Sequence, residues 1–199
     1  FAQPQTHVRD LFLKAGLDRG DYTTGVLDGT FTIRNSGKKD IPAGMKLDYS
    51  IDGISTKLNW EGRNGSGRVQ TDNRGRLDSG TLEVPSIPSG GEVQISLNRK
   101  FPGVKPWTAE TPNLYRVTYS LNGKDTRSVN IGFRSVEIAD NGAVLINGRA
   151  VKFKGVNRHE AHPDYGRAIP REVMEKDVQI IKAHNINTVR CSHYPNHPY

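Results

Sequence analysis

Apolar and polar residues alternate along several stretches of the first 135 residues. The apolar positions of these stretches are Phe31 and Ile33; Leu47, Tyr49 and Ile51; Val93, Ile95 and Leu97; Tyr115, Val117, Tyr119 and Leu121; and Val129, Ile131 and Phe133. A period of two places one face of a strand in a core and the other face in water. The pattern therefore predicts short, half-buried β-strands.

Turn-forming residues separate these stretches, at Asp52-Gly53, the glycine-rich residues 62–67, Ser89-Gly90-Gly91 and Asn122-Gly123. The Asn-Gly pair suits a two-residue hairpin, because both central residues of a type I′ turn need positive φ. Strands at this spacing predict a sandwich of about seven or eight strands. We expect residues 1–135 to form this all-β domain.

The pattern changes from residue 136 onward. The stretch AVLINGRAVKF predicts a hairpin with Asn147-Gly148 as its turn, and Val151, Phe153 and Val156 indicate a mostly apolar strand. The stretch PREVMEKDVQIIKAHN predicts a helix that begins near Pro170. Its apolar residues gather on one helical face, namely Val173, Met174, Val178, Ile180 and Ile181. The stretch NTVRCSHYP then indicates a second short strand.

A strand, a helix and a second strand form a βαβ unit, which implies a parallel sheet. Parallel strands are buried on both faces and need further units to cover them. We therefore expect residues 136–199 to be the truncated N-terminal part of a (β/α)8 barrel. Barrel enzymes place their catalytic side chains at the carboxyl ends of the strands. His159 and His193 follow the two predicted strands in that position.

Composition excludes several classes of protein. The chain is 34% hydrophobic and contains no apolar run as long as a membrane span. The net charge of +7 comes from scattered Lys and Arg residues without a nucleic-acid-binding motif, so we expect neither a membrane nor a nucleic-acid partner. The single cysteine, Cys191, excludes an internal disulfide. No export signal is visible at the N-terminus, and the compartment stays open.

Four functions fit the polar residues at the two strand ends. His159, His162, His193 and His197 could bind a metal with Glu160 or Asp164, although HEAH is not the HExxH spacing. Cys191 could be a nucleophile, but a cysteine within a strand is more often a small buried packing residue. The cluster could instead bind a sugar and support an oxocarbenium-like transition state, or supply structural hydrogen bonds. Clustering at two strand ends favours a ligand site.

Two long motifs, FKGVNRHEAHPDYGRA and NTVRCSHYPNHP, closely resemble glycoside hydrolase family 2, and within it the β-galactosidases. The stretches PWTAETPNLYRV and IGFRSVEI resemble the closing strands of that family's second immunoglobulin-like domain, and NGAVLINGRAV resembles the lead-in to its TIM barrel. The resemblance is strong over residues 106–199 and looser before them. It implies an immunoglobulin-like β-sandwich, residues 1–135, followed by the first βαβ portion of a TIM barrel, residues 136–199.

The resemblance also implies roles for particular residues. His159 and His193 match the two histidines that contact the galactosyl group and support the transition state, and Arg190 matches the arginine that positions the nucleophilic glutamate. Asn157, Arg158 and Glu160 match the motif, and we assign them to shaping the strand end. The acid/base and nucleophile glutamates of this retaining family lie downstream of the matched motifs, as do most magnesium ligands. We therefore expect no catalytic glutamate and no metal site in this chain.

The resemblance implies a β-galactoside substrate, magnesium and homo-oligomers for the parent enzyme, with the remaining domains of the polypeptide as partners of this chain. The chain by itself is expected to be inactive. The alternative is a stand-alone carbohydrate-binding or protein-interaction sandwich. Against it, Trp60 and Trp107 are isolated in the sequence, with no aromatic cluster to stack on sugars, and Trp107 is expected to be a packing residue.

Overall fold

The computed structural model describes residues 4–59 and 68–197 of the 199-residue chain. The turn expected at residues 62–67 and Trp60 lie outside the described residues. The elements are, in chain order, β1 (Thr6–Leu17), β2 (Gly25–Asn35), β3 (Met45–Asn59), β4 (Arg68–Val84), β5 (Glu92–Phe101), β6 (Leu114–Leu121), β7 (Lys124–Ile131), β8 (Val136–Ile138), β9 (Val144–Ile146), β10 (Arg149–Ala150), β11 (Gly155–Arg158), α1 (Arg171–Ala183) and β12 (Thr188–Cys191).

The first seven strands form a sandwich of two sheets, with strand orders β1-β2-β5 and β4-β3-β6-β7. Apolar side chains from both sheets share one core, and those that are fully buried include Leu27, Phe31, Ile33, Leu47, Ile51, Leu97 and Val117. The Phe31 and Tyr119 rings meet edge to face across the core, with their centroids 5.4 Å apart. The β-sandwich predicted by the alternation, and its immunoglobulin-like class implied by the resemblance, are therefore confirmed.

The turn predictions have different outcomes. Asn122 and Gly123 join β6 to β7 with φ values of 51° and 66°, as the type I′ prediction requires. The turn predicted at Asp52-Gly53 is wrong, because β3 continues through both residues and Gly53 pairs with Tyr115 of β6. A Cβ added to Gly53 would lie 3.3 Å from the Arg74 Cβ, so this glycine allows a close approach of side chain and backbone.

The three-stranded sheet of β8, β9 and β10, which contains the predicted hairpin, belongs to the same compact unit as the sandwich. The chain divides into compact units between Ala150 and Val151, whereas the sequence places the domain boundary after residue 135. Asn147 Nδ2 donates to the Trp107 carbonyl oxygen at 2.9 Å, and the Tyr22 hydroxyl donates to Glu137 at 3.2 Å. These bonds hold the hairpin within the first unit. The boundary at residue 135 stays a prediction.

The second unit contains the βαβ portion, in which β11 and β12 are parallel and α1 lies between them along the chain. The βαβ prediction is therefore confirmed. β11 begins at Gly155, although we expected Val151 and Phe153 to belong to the strand. Asn187 explains the later start of the strand. Its Oδ1 accepts from the Lys154 N–H at 2.8 Å, and its Nδ2 donates to the Lys152 carbonyl oxygen at 3.0 Å. The backbone before Gly155 thus bonds to Asn187, through its side chain and its N–H, instead of to a strand.

The helix α1 begins after Pro170, which occupies the N-cap position rather than the first turn. Four of its half-buried residues, Val173, Met174, Asp177 and Ile181, lie on one face, and Gln179, also half-buried, lies on the opposite side. Val178 and Ile180, which we expected on the same apolar face, are exposed, because the 3.6-residue period places them at the two margins of that face. Among the described residues, no helix is long and apolar enough to cross a membrane.

The turn before β2 contains a carboxylate with a strongly lowered pKa. Asp21 accepts hydrogen bonds from the Thr24 hydroxyl at 2.7 Å and from the Thr24 and Thr23 N–H groups at 2.9 and 2.8 Å. These bonds, the Thr24 hydroxyl first, lower the pKa of Asp21 from 3.8 to about 2. A carboxylate whose pKa falls on folding stabilises the protein above the unfolded value, and this contribution is lost as the pH falls through the folded value.

We therefore expect the stabilising effect of Asp21 to disappear between pH 3.8 and about 2. A carboxyl titration of the folded chain by NMR should give the lowered pKa, and Thr24→Val should raise this pKa because it removes the hydroxyl donor. A titration midpoint for Asp21 at 3.8 in the unmodified chain would contradict the prediction.

Candidate active site

The two strand ends of the second unit bring the predicted histidines together. In the parallel register Asn157 pairs with Arg190 and Arg158 with Cys191. His159 directly follows β11, and His193 lies two residues beyond β12. Because the carboxyl ends of parallel strands meet at one edge of a sheet, the two imidazoles are neighbours. The position of the two histidines at the strand ends predicts that they lie close together, as observed.

The His159 and His193 rings lie edge to face, with their centroids 5.7 Å apart and their planes at 88°. Both side chains are exposed. An imidazole N–H donates a hydrogen bond well to a hydroxyl or to a developing negative charge. The pair therefore presents two aromatic donors on one open surface, which suits a polyhydroxylated ligand.

Arg190 and its partner Asn157 lie on one face of the strand pair. Side chains alternate along a strand, and Arg158 of β11 contacts Asp177 of α1, so Asn157 and Arg190 project from the face opposite the helix. Arg190 is exposed, and its guanidinium makes no ion pair with any of the described residues. A guanidinium in this position can bind a carboxylate through two parallel hydrogen bonds.

A partly buried ionic network adjoins the two strand ends. The Arg158 and Glu160 side chains are each 12% exposed, and Arg158 Nη1 lies 3.3 Å from Glu160 Oε1. Arg158 Nε also donates to Asp177 Oδ2 at 2.9 Å. The His197 N–H donates to the Glu160 carboxylate, at 3.1 Å from Oε2 and 3.3 Å from Oε1. The network therefore joins the segment after β12 to the end of β11 and to α1.

Tyr194 provides a second connection between the same segments. The Glu160 N–H donates to the Tyr194 hydroxyl at 2.9 Å. The Arg167 guanidinium carbon lies 4.5 Å from the centre of the Tyr194 ring, which is a cation–π contact. Sequence reasoning missed Asp177 and Tyr194. For Asp177 a signal existed, because it is a charged residue within the half-buried apolar stripe of α1.

The metal hypothesis finds no matching geometry. Across residues 4–59 and 68–197, no three His, Cys, Asp or Glu side chains gather as metal ligands. Asp164 N donates to His162 Nδ1 at 3.1 Å, and the His162 ring lies against Tyr165 with the centroids 4.9 Å apart. The Glu160 carboxylate accepts hydrogen bonds from Arg158 and from the His197 N–H. These residues therefore do not fit magnesium.

The thiol hypothesis is also not favoured. Cys191 is exposed, so the expectation of a small buried packing residue is wrong. It is the following residue, Ser192, that is fully buried, and its N–H donates to the Arg158 carbonyl oxygen at 2.9 Å. Within the described part of the chain, no histidine makes a hydrogen bond with the thiol that could activate it.

Trp107 is a packing residue, as expected from its isolation in the sequence. The Arg134 guanidinium lies 4.7 Å from the centre of its ring. The Trp107 N–H donates to the Phe133 carbonyl oxygen at 2.9 Å, and a Cβ added to Gly132 would come within 3.0 Å of the Trp107 side chain. The ring is thus held between neighbours in the first unit.

Comparison with known proteins agrees with the motifs. The chain is similar to a β-galactosidase from Alteromonas mediterranea, with 35% identity over 98% of this chain and 17% of the relative. It is also similar to a β-galactosidase from Kluyveromyces lactis, with 36% identity over 85% of this chain and 18% of the relative. The chain thus spans less than a fifth of the length of these curated relatives.

A solved structure, the β-glucuronidase of Parabacteroides merdae with glycerol in its active site, has the same fold. It matches 97% of this chain and 22% of that protein with a TM-score of 0.74 and 21% identity. The profile of glycosyl hydrolases family 2 matches residues 6–134, and that of the family's TIM barrel domain matches residues 136–199. Together these two profiles cover nearly the whole chain, which belongs to glycosyl hydrolases family 2.

Proposed function

We propose that this chain is part of a retaining β-galactosidase that hydrolyses terminal β-D-galactosyl residues. The observation that carries the proposal is the pair of exposed imidazoles, His159 and His193, 5.7 Å apart at the carboxyl ends of two parallel strands. The two relatives named β-galactosidase, at 35% and 36% identity, support the galactoside rather than another sugar.

In this proposal the histidines bind the galactosyl group. Their N–H groups donate to sugar hydroxyls, and these hydrogen bonds are aligned best on the flattened ring of the oxocarbenium-like transition state. Arg190 would position the nucleophilic glutamate, because a guanidinium fork binds a carboxylate bidentately and keeps its pKa low. The guanidinium of Arg190 is exposed on the face opposite α1, where a carboxylate can reach it.

The two catalytic carboxylates would come from parts of the enzyme outside this chain. A retaining glycosidase needs an acid/base and a nucleophile about 5–5.5 Å apart. Glu160, which directly follows His159, is unsuited to either role, because its carboxylate bonds to Arg158 and to the His197 N–H. Magnesium and a homo-oligomeric assembly of the parent enzyme belong to the same proposal, and the chain alone would be inactive.

We expect the 199-residue chain to bind galactose or lactose no more tightly than about 1 mM, since two exposed imidazoles supply few of the hydrogen bonds a sugar needs. Isothermal titration of the chain measures this affinity. The full-length polypeptide should hydrolyse 4-nitrophenyl β-galactoside, with 4-nitrophenyl β-glucuronide as the matched control substrate.

Each result has a clear consequence. Faster cleavage of the glucuronide than of the galactoside would contradict the proposed substrate. Sub-millimolar binding of galactose by the chain alone would favour a stand-alone carbohydrate-binding sandwich. An intact mass of the natural polypeptide near 22.1 kDa would support the same alternative.

A further inference from the structure

The Glu160 side chain connects the two strand ends that present the histidines. Its carboxylate accepts hydrogen bonds from the Arg158 guanidinium on one side and from the His197 N–H on the other. Glu160 directly follows His159 in the chain, and His197 lies four residues beyond His193. The Glu160 side chain, next to His159, thus binds the segment that contains His193.

The backbone of Glu160 makes the second link to that segment. Its N–H donates to the Tyr194 hydroxyl at 2.9 Å, and the same hydroxyl lies 3.4 Å from the Glu160 carbonyl oxygen. Tyr194 is the residue directly after His193. Two residues on the carboxyl-terminal side of His193, namely Tyr194 and His197, therefore form hydrogen bonds with Glu160.

The charge of Glu160 matters because it is nearly buried. Glu160 and Arg158 are each 12% exposed, and a buried ion is stable only when its partners are kept. Arg158 has a second carboxylate partner, Asp177, on α1. Asp177 shares the arginine, but among the described residues it has no hydrogen bond to residues 192–197. The chain thus contains a matched carboxylate that pairs with Arg158 without holding the segment.

We propose that Glu160 is a positioning residue, which fixes the spacing of His159 and His193 by anchoring residues 194–197 to the end of β11. The proposal rests on the sugar-binding function proposed for the two histidines. It goes beyond shaping one strand end, because it couples the two strand ends through a single carboxylate. Glu160 itself takes no part in bond breaking.

The first test uses the activity of the full-length enzyme. Glu160→Ala should lower kcat on 4-nitrophenyl β-galactoside by about 10- to 100-fold, the loss typical of a small misplacement of a group in the site. KM should change little, because the misplaced donor acts mainly in the transition state. Glu160→Gln should recover part of kcat, since its amide oxygen can still accept from the His197 N–H. Asp177→Asn should retain the unmodified kcat.

The second test needs no activity and uses the 199-residue chain. The ring C–H signals of His159 and His193 sense each other's ring current, so NMR reports their spacing. Glu160→Ala should shift both signals and abolish hydrogen-exchange protection of the His197 amide, whereas Asp177→Asn should preserve both. Unchanged histidine signals in Glu160→Ala would overturn the proposal, as would equal shifts in the two variants.

The two tests separate the two proposals. An unmodified full-length enzyme that does not cleave the galactoside would refute the proposed function, while the NMR result would still decide whether Glu160 sets the spacing of the histidines. An active enzyme whose Glu160→Ala variant keeps the unmodified kcat would overturn the positioning role alone.

Discussion

Replacing His193 by alanine in the full-length enzyme is expected to lower kcat on 4-nitrophenyl β-galactoside by about 100- to 1,000-fold, the cost of removing one preorganised donor from a site of developing charge. The His193 ring is exposed and lies 5.7 Å from that of His159. Because an exposed side chain contributes little to folding, the free energy of unfolding should change by less than about 0.5 kcal/mol. Steady-state kinetics and urea unfolding measure the two quantities.

His184 provides the matched control. It is an exposed histidine at the C-cap of α1, where its Nδ1 lies 2.8 Å from the Ile180 carbonyl oxygen. His184→Ala should leave kcat unchanged. This residue follows the C-terminal end of α1 and precedes the start of β12, whereas His159 and His193 follow the ends of the strands. Turnover equal to the unmodified enzyme in His193→Ala would refute the proposed role. An equal loss in both variants would indicate a general effect on folding.

The double variant of His159 and His193 sharpens the result. Two side chains in contact seldom contribute independently, and a double-mutant cycle measures their coupling. If both rings act on one galactosyl group, the combined loss in kcat should be smaller than the product of the single losses. Strictly multiplicative losses would mean that the two rings act separately.

Much of the sandwich could be predicted because its strands have one buried face. β2, β5 and β6 show a clear alternation of apolar and polar residues, and the turns at Asn122-Gly123 and Asn147-Gly148 have the positive φ values that their residue types favour. Local chemistry and the overall fold agree at these places, so the sequence is sufficient there.

The strands β1 and β4 could not be assigned for two different physical reasons. In β1 the register shifts between Val8 and Asp10, so a bulge interrupts the period of two, and Phe12 places an apolar ring on the exposed face. β4 lies at the edge of its sheet, and over residues 74–84 its apolar residues against the core are Leu77, Leu82 and Val84. An edge strand with one weakly apolar face resembles a loop in sequence.

The candidate site could be predicted to the level of strand ends. Parallel strands bring their carboxyl ends together, which was sufficient to bring His159 and His193 to one edge. The network of Glu160 with Arg158 and His197 could not be predicted, because it depends on the path of the segment after β12 and on the direction of long side chains. Alternation in a strand four residues long predicts neither the path of the following segment nor the direction of its long side chains.

Phe31→Ala is expected to have the largest effect on stability, a loss of about 3–5 kcal/mol from the sandwich, as is typical of a truncated core phenylalanine. Phe31 is 0% exposed in the centre of β2. Its ring meets that of Tyr119 edge to face at 5.4 Å, so the substitution removes apolar burial and an aromatic pair from the contact between the two sheets. Hydrogen exchange of β2 and β6 amides measures the loss within the sandwich itself.

Phe12 is the matched control, since it is a phenylalanine in the neighbouring strand β1 of the same sheet, paired with Thr30, and is 64% exposed. Phe12→Ala should change the stability of the sandwich by less than about 0.5 kcal/mol. Phe31→Leu should fall between the two, because it keeps most of the buried volume and loses the aromatic pair. A similar loss for Phe31→Ala and Phe12→Ala would contradict the assignment of the core to the face that contains Phe31. It would mean instead that the outer face of the sheet is equally important for folding.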